Sequence, residues 1–315
     1  MNLNMILCCG EALIDFVPQK DQSGGSLYQP CPGGSPYNTA VALGRLQVPT
    51  ASFCGLSNDF FGSMLLKHLQ QSGVSTEWVR HLERDTTLAF VSADSADGEV
   101  EYAFYGRETA DRSLEKGDLP QVLPEEIKVL QFGSVSLVLE PTASTMELLM
   151  QRESGQRMIS LDPNIRPGLI SDREVYRERF EKWLDSTDLL KASITDLEWI
   201  YPDAEIFSTI ERILETTKVN LVMLTSGEKG SWACTSKQRV HEKAERIVVK
   251  DAVGAGDSFH AAVLCRLWEI GAIGSTSLAD LNESELKQTL GFANKIAAIT
   301  CSRSGADSPW RKELD

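Results

Sequence analysis

The chain has 315 residues, 42% hydrophobic and 24% charged, with a formal net charge of −14. That is the composition of a folded protein large enough for one big α/β domain or two smaller ones. The acidic balance speaks against general nucleic-acid binding, which needs a basic face, and any anionic ligand must be held by a local positive field.

Short apolar runs alternate with longer amphipathic ones along the chain. The first run, Met5–Cys9, reads as a buried strand. Its surroundings lack a basic leader region and a cleavage site, and no apolar run approaches membrane-spanning length. A cytoplasmic protein with no membrane partner is therefore expected. Residues 13–29 follow without a helical pattern. Residues 35–47 read as a helix with Pro36 near its start, 51–55 as a strand, and 59–71 as a helix capped by Asn58. Two strand-like runs, 88–93 and 100–105, flank an Asp97-Gly98 turn. With 13–29 they predict a small sheet standing off the main body. A sheet that small is marginal alone, so it should close over a ligand or pair with a second subunit.

Further strands are predicted at 129–132, 158–161, 189–191 and Leu221–Thr225, and helices near 141–153, 172–185, 206–217, 256–270 and 284–301. This alternation implies a mostly parallel sheet with helices on both faces. Ligands of such sheets bind beyond the carboxyl ends of the strands. The seven cysteines are scattered and form no C-x-x-C pair, which argues against a disulfide framework and a structural zinc site. The four histidines show no metal spacing.

The chemistry concentrates at Asp251-Ala-Val-Gly-Ala-Gly-Asp257, which runs straight into a helical pattern. Gly254, Ala255 and Gly256 leave backbone N–H groups unscreened at a helix start, where the dipole adds positive charge. That is a site for an anion, phosphate above all. Asp257 could cap the helix, or it could take a proton from whatever attacks a phosphate. Other polar groups fall at the ends of predicted strands: Glu11 and Asp15, Gly33-Gly34 with Asn38, Asp162-Pro-Asn164-Ile-Arg166, Lys191 with Thr195 and Glu198, and Thr225-Ser226-Gly227. Singly, each is also an ordinary turn, cap or solvated residue. Residues 227–230 do not form a Walker A loop, because the Gly-Lys-Ser/Thr ending is absent.

Taken together, these segments resemble the ribokinase-type (PfkB) carbohydrate kinases over nearly the whole chain. Gly33-Gly34-Ser-Pro-Tyr-Asn38-Thr-Ala-Val-Ala-Leu-Gly-Arg-Leu is similar to the N-terminal signature of that family, and residues 251–264 to the C-terminal one. Gly55 to Gly62, Gly73-Val74, Asp162-Pro-Asn164 and Ser304-Gly305-Ala306 match in order and spacing. Within the family the chain is most similar to bacterial fructokinases, through Thr87-Leu-Ala-Phe-Val, Phe104-Tyr105-Gly-Arg107-Glu-Thr-Ala-Asp111 and Asp162-Pro-Asn-Ile-Arg166-Pro.

The resemblance implies one ribokinase-like three-layer α/β/α domain over 1–315, with lid strands from about 12–32 and 86–112. It implies ATP and D-fructose as substrates, Asp257 as general base, and Gly254, Ala255 and Gly256 as an anion hole. Asp15, Gly33, Gly34, Asn38, Phe104, Arg107 and Arg166 would bind the sugar. Lys191, Thr225, Gly227, Gly254, Gly256, Asn294 and Ala298 would bind ATP. Magnesium would accompany ATP with Glu198 near its water shell, and Asp251 and Gly305 would hold a monovalent cation such as K+. A homodimer through the lid is implied too. Ala252 and Thr195 depart from the family pattern, and any effect is expected on phosphate or magnesium dependence. Other readings stay open: a kinase for 2-keto-3-deoxygluconate, ribose or a nucleoside, or a sugar- or nucleotide-sensing protein without catalysis.

Overall fold

The computed structural model describes residues 4–20, 26–91, 102–273 and 278–314. The chain opens with β1 (Met5–Cys9), β2 (Leu13–Lys20), β3 (Ser26–Gly33) and α1 (Ser35–Arg45). Then come β4 (Thr50–Phe53), β5 (Gly55–Ser57), α2 (Phe60–Gln71), β6 (Arg80–Leu82), β7 (Leu88–Val91) and β8 (Tyr102–Tyr105). The middle holds β9 (Ile127–Gly133), α3 (Thr142–Glu153), β10 (Met158–Asp162), α4 (Arg173–Leu184), β11 (Leu189–Ser193), α5 (Ile194–Ile200) and α6 (Ile206–Thr216). It ends with β12 (Leu221–Thr225), β13 (Ser231–Cys234), β14 (Arg239–Glu242), α7 (Ala255–Glu269) and α8 (Glu283–Cys301).

Eight strands form the main sheet in the order β14-β13-β12-β11-β10-β9-β1-β4. The pairs from β4 to β12 are parallel; β13 and β14 are antiparallel. Successive side chains on a strand point to opposite faces, and the two cores show it. Ile6 and Cys8 pack with α1, α2, α7 and α8, through residues such as Tyr37, Leu65, Leu264 and Leu290. Leu7 and Cys9 belong to the opposite core, with Met146, Phe180, Leu197 and Ile213 of α3 to α6. Burial on both faces explains why the strands read as continuous apolar runs rather than alternating ones.

The second sheet has the order β3-β2-β7-β8. It contains the strands predicted from 13–29 and 86–105; the Asp97-Gly98 turn lies outside the described residues. Phe16 fastens it to the body: its ring stacks on Phe90 at 4.5 Å and meets Phe61 of α2 edge-on at 5.8 Å.

Three local readings change. The cap of α2 is Asp59, not Asn58: Asp59 accepts the Gly62 N–H at 2.7 Å, while Asn58 donates to Glu83. Asp59 also accepts from the backbone and hydroxyl of Thr86, so one carboxylate starts the helix and ties down the approach to β7. The hairpin β13–β14 and the short helix α5 were not predicted. β13 and β14 each span four residues, too few for a clear period.

Candidate active site

Helix α7 is preceded by Gly254 at its N-cap, which takes a left-handed φ of 74°. A side chain there is excluded twice. L-residues avoid that conformation, and a Cβ would lie 2.5 Å from Cβ of Ala306. The following residues bring Asp257 into the first turn, buried against the N-terminal turn of α1. Ser35 and Asn38 stand three apart on α1, so they share one face. The Ser35 hydroxyl donates to Asp257 Oδ1 at 2.6 Å, and Asn38 Nδ2 donates to Oδ2 at 2.9 Å. Asn164, just beyond β10, donates a longer 3.3 Å contact from Nδ2 to Oδ1.

Asn164 adopts φ 37°, a conformation asparagine tolerates better than most residues. Arg166 donates to its side-chain oxygen at 2.7 Å, which turns the amide NH₂ toward Asp257. Arg166 thus acts partly through Asn164. Desolvation raises the Asp257 carboxyl above the usual range, against the hydrogen bonds from Ser35 and Asn38 and the charges of Lys191 and Arg166. Beneath Gly256, Lys191 of β11 pairs with Asp162 of β10 at 2.7 Å, both essentially dry. Desolvation pulls the Lys191 ammonium down, but Asp162 and Asp196 lift it above its ordinary value. A Cβ on Gly256 would stand 2.9 Å from the Lys191 nitrogen, so the missing side chain lets the cation approach the loop.

Two cavities meet at this loop. One, of about 270 Å³, is lined by Asp257 together with Asp15, Gly34, Asn38, Phe104 and Arg166. The other, of about 800 Å³, is lined by Thr225, Gly227, Arg246, Asn294 and Ala298 among others. Ala252 and Gly256 wall both. In the smaller cavity, burial pushes Asp15 up to about 7 despite Arg166, with Asp257, Asp251 and Glu11 adding to the rise. Gly33 lies against the Asp15 carboxylate, and any side chain on Gly33 would displace it.

Most of the predicted site residues therefore converge, and the surroundings of the others bear on their roles. Arg107 lines a separate cavity with Arg84, Arg112 and Glu140. Glu198 is exposed on α5, as is Thr195. Asp251 accepts from Val253 N–H at 3.0 Å and Gly305 N–H at 2.8 Å, so these two residues latch the loop together. Asn294 has its amide engaged: it accepts from Ser231 and donates to the carbonyls of Glu242 and Lys243. Among the described residues, no group of three or more His, Cys, Asp or Glu could hold a metal.

Sequence reasoning gave no role to Ser35 or Glu11. Glu11 is buried and accepts N–H bonds from Ser35 and Ser136, bridging α1 to the turn after β9. The available signal was spacing: Ser35 precedes Asn38 by one helical turn.

Residues 3–313 match the pfkB family carbohydrate kinase pattern. The chain belongs to the pfkB family of carbohydrate kinases. It is 38% identical over 283 residues to a fructokinase of Rhizobium leguminosarum bv. trifolii, covering 90% of this chain and 86% of that one. It is 34% identical to a probable fructokinase of Arabidopsis thaliana, covering 97% and 94%. Among solved structures, a fructokinase with bound ATP from Xylella fastidiosa superposes with a TM-score of 0.87 at 26% identity, covering 96% and 94%. The three layers of this carbohydrate kinase are the expected ribokinase-like fold. As a family member it is a phosphotransferase with an alcohol acceptor.

Proposed function

We propose that this kinase transfers the γ-phosphoryl group of ATP to D-fructose, giving ADP and fructose 6-phosphate. The observation that carries the reading is the position of Asp257, in a cavity of sugar size that shares its loop wall with a longer groove. The fructokinase names of the relatives support fructose as the acceptor. The whole chain works as one kinase domain in this reading, with the small sheet as its lid.

Phosphoryl transfer asks the protein for alignment and charge stabilisation more than covalent chemistry. The sugar occupies the smaller cavity, with Asp15, Gly34 and Asn38 toward its hydroxyls and Phe104 over it. Paired hydrogen bonds select the polyol, because a wrong sugar leaves buried partners unmatched. Closure by the lid excludes water, whose attack would waste ATP. The sugar hydroxyl forms its bond to the γ-phosphorus as the bond to the β-γ bridging oxygen breaks, and Asp257 takes the hydroxyl proton. N–H groups of residues 254–256 meet the charge on the phosphoryl oxygens, with Lys191 beneath them. The nucleotide lies in the larger groove, where Thr225, Gly227 and Ala298 line the wall.

Among the described residues the donor set near the loop forms no protein cage, which suits an ion held mainly by phosphates and water, as magnesium is. Glu198, exposed beyond β11, is the carboxylate this reading places toward that water shell. When bound, magnesium would supply positive charge against the phosphates. Asp251 and Gly305 already bond to each other, and no step passes through a monovalent ion there. Exposed Tyr28 and Tyr105, which both meet Phe90 on the lid sheet, support a homodimer through that face. The seven unpaired cysteines suit a reducing cytoplasm.

The test is ADP release with saturating Mg-ATP and a panel of sugars including fructose, ribose and 2-keto-3-deoxygluconate. Fructose should give the highest kcat/KM. Asp257→Asn should lower kcat by about 10²–10⁴-fold while still binding fructose. Near-full turnover by that variant would remove Asp257 from the mechanism.

A further inference from the structure

We propose that Ser35 is a positioning residue which, with Asn164, occupies Oδ1 of the Asp257 carboxylate and leaves Oδ2 as the oxygen that takes the proton. The inference rests on the reading of Asp257 as the base and goes one atom deeper.

A carboxylate offers about four lone-pair sites, two on each oxygen. At Oδ1 both have donors: Ser35 Oγ at 2.6 Å and Asn164 Nδ2 at 3.3 Å. At Oδ2 one donor is present among the described residues, Asn38 Nδ2 at 2.9 Å. One lone pair of Oδ2 is therefore left for an incoming hydroxyl. The donors cannot easily exchange roles. Asn164 is fixed in orientation by Arg166, whose Nη1 holds its side-chain oxygen at 2.7 Å. Ser35 is fixed from its other side. It is buried, and its backbone N–H is held by Glu11 Oε1 at 3.0 Å, while Glu11 Oε2 holds Ser136 N–H at 3.1 Å. A chain of contacts thus runs from the turn after β9, through Glu11, to the first residue of α1 and on to the base.

The Ser35 hydroxyl does two things for the reaction. It keeps the carboxylate from rotating, so that the free lone pair stays toward the sugar cavity. It also donates more strongly to the ionised carboxylate than to the neutral acid, which favours the state able to accept a proton. A residue that merely packed against Asp257 would do neither. A residue that read the sugar would act on binding, and Ser35 has its proton committed to Asp257.

The experiment compares Ser35→Ala and Ser35→Thr with the parent enzyme. The readouts are fructose KM, the pH profile of kcat, and the Asp257 carboxyl titration followed by ¹³C NMR in the ligand-free protein. For Ser35→Ala we expect kcat to fall about tenfold, the size of one hydrogen bond to a charged group. Fructose KM should stay within about twofold, since the sugar's own hydrogen-bonding partners are untouched. The acid limb of kcat and the Asp257 titration should both move to higher pH. Ser35→Thr, which keeps the hydroxyl, should restore most of kcat. A rise in KM with kcat unchanged would make Ser35 a sugar ligand and overturn the proposal. An unshifted Asp257 titration in Ser35→Ala would overturn it as well. The NMR arm needs no turnover, so it separates failure of this inference from failure of the fructokinase reading. Circular dichroism of both variants establishes that the fold is kept, and loss of kcat in Ser35→Thr with an intact fold would count against the hydroxyl's role.

Discussion

Replacing Gly254 by alanine tests the geometry of the glycine loop before α7, and the molecule contains its own control. Gly254 and Gly271 have nearly the same backbone, φ 74° and 72°. Their surroundings differ. A Cβ on Gly254 would lie 2.5 Å from Cβ and 2.8 Å from Cα of Ala306, whereas a Cβ on Gly271 would meet nothing within 4 Å among the described residues. Alanine in the left-handed region costs about 1–2 kcal/mol at either position. At Gly254 overpacking adds about 1–3 kcal/mol, because backbone of one segment must move. The totals are about 2–5 kcal/mol for Gly254→Ala and about 1–2 kcal/mol for Gly271→Ala. In the proposed mechanism Gly254 also begins the loop that meets the phosphates, so its displacement should lower kcat about 10²-fold, the scale of one lost oxyanion donor. Gly271→Ala, at the far end of α7, should keep full kcat. Urea denaturation of both variants and saturating kinetics supply the two readouts. Adding Ala306→Gly to Gly254→Ala should recover part of the stability, since the clash with the Ala306 methyl disappears while the clash with the backbone at that position stays. Equal destabilisation of the two alanine variants, or full turnover by Gly254→Ala, would refute the reasoning.

Two further outcomes are expected. Lys191→Met should cost about 3–5 kcal/mol of stability, because Asp162 is left as an unpaired buried carboxylate. Desolvation already raises Asp162 to about 7 against the pull of Lys191, so denaturation of the variant should show the deficit shrinking as the carboxyl protonates at lower pH. Asp15, held near 7 by burial, should give a fructose KM that rises as pH falls through 7, and Asp15→Asn should flatten that dependence in initial-rate assays. Its folded-state value lies above the unfolded one, so its contribution to stability is full below about 4 and lost as pH rises through about 7; Asp15→Asn should therefore melt higher than the parent at pH 8.

The elements of the main sheet were legible because their signals are local. β12 is predicted and observed at the same residues, since a doubly buried parallel strand is a continuous apolar run. Helices α3, α4 and α6 lie within a residue or so of their predicted ends. The loop at 251–257 was legible too, because glycines before a helix have few other uses. What failed was short or shared between neighbours. Asn58 and Asp59 are equally good caps by type; Glu83 and Thr86, more than twenty residues on, decide between them.

The sequence by itself determined the parallel α/β body, the glycine loop at Gly254 to Gly256 and the carboxylate beside it, through period, glycine placement and the order of its motifs. Tertiary structure alone decided how that carboxylate is held. Ser35 reaches Asp257 across 222 residues of chain, and Asn164 across 93. It likewise turned Lys191 into a partner of Asp162 and placed Arg107 at a different cavity. Hydrogen bonds and ion pairs depend on separations of a few ångströms, and those are fixed only when distant segments pack against one sheet edge.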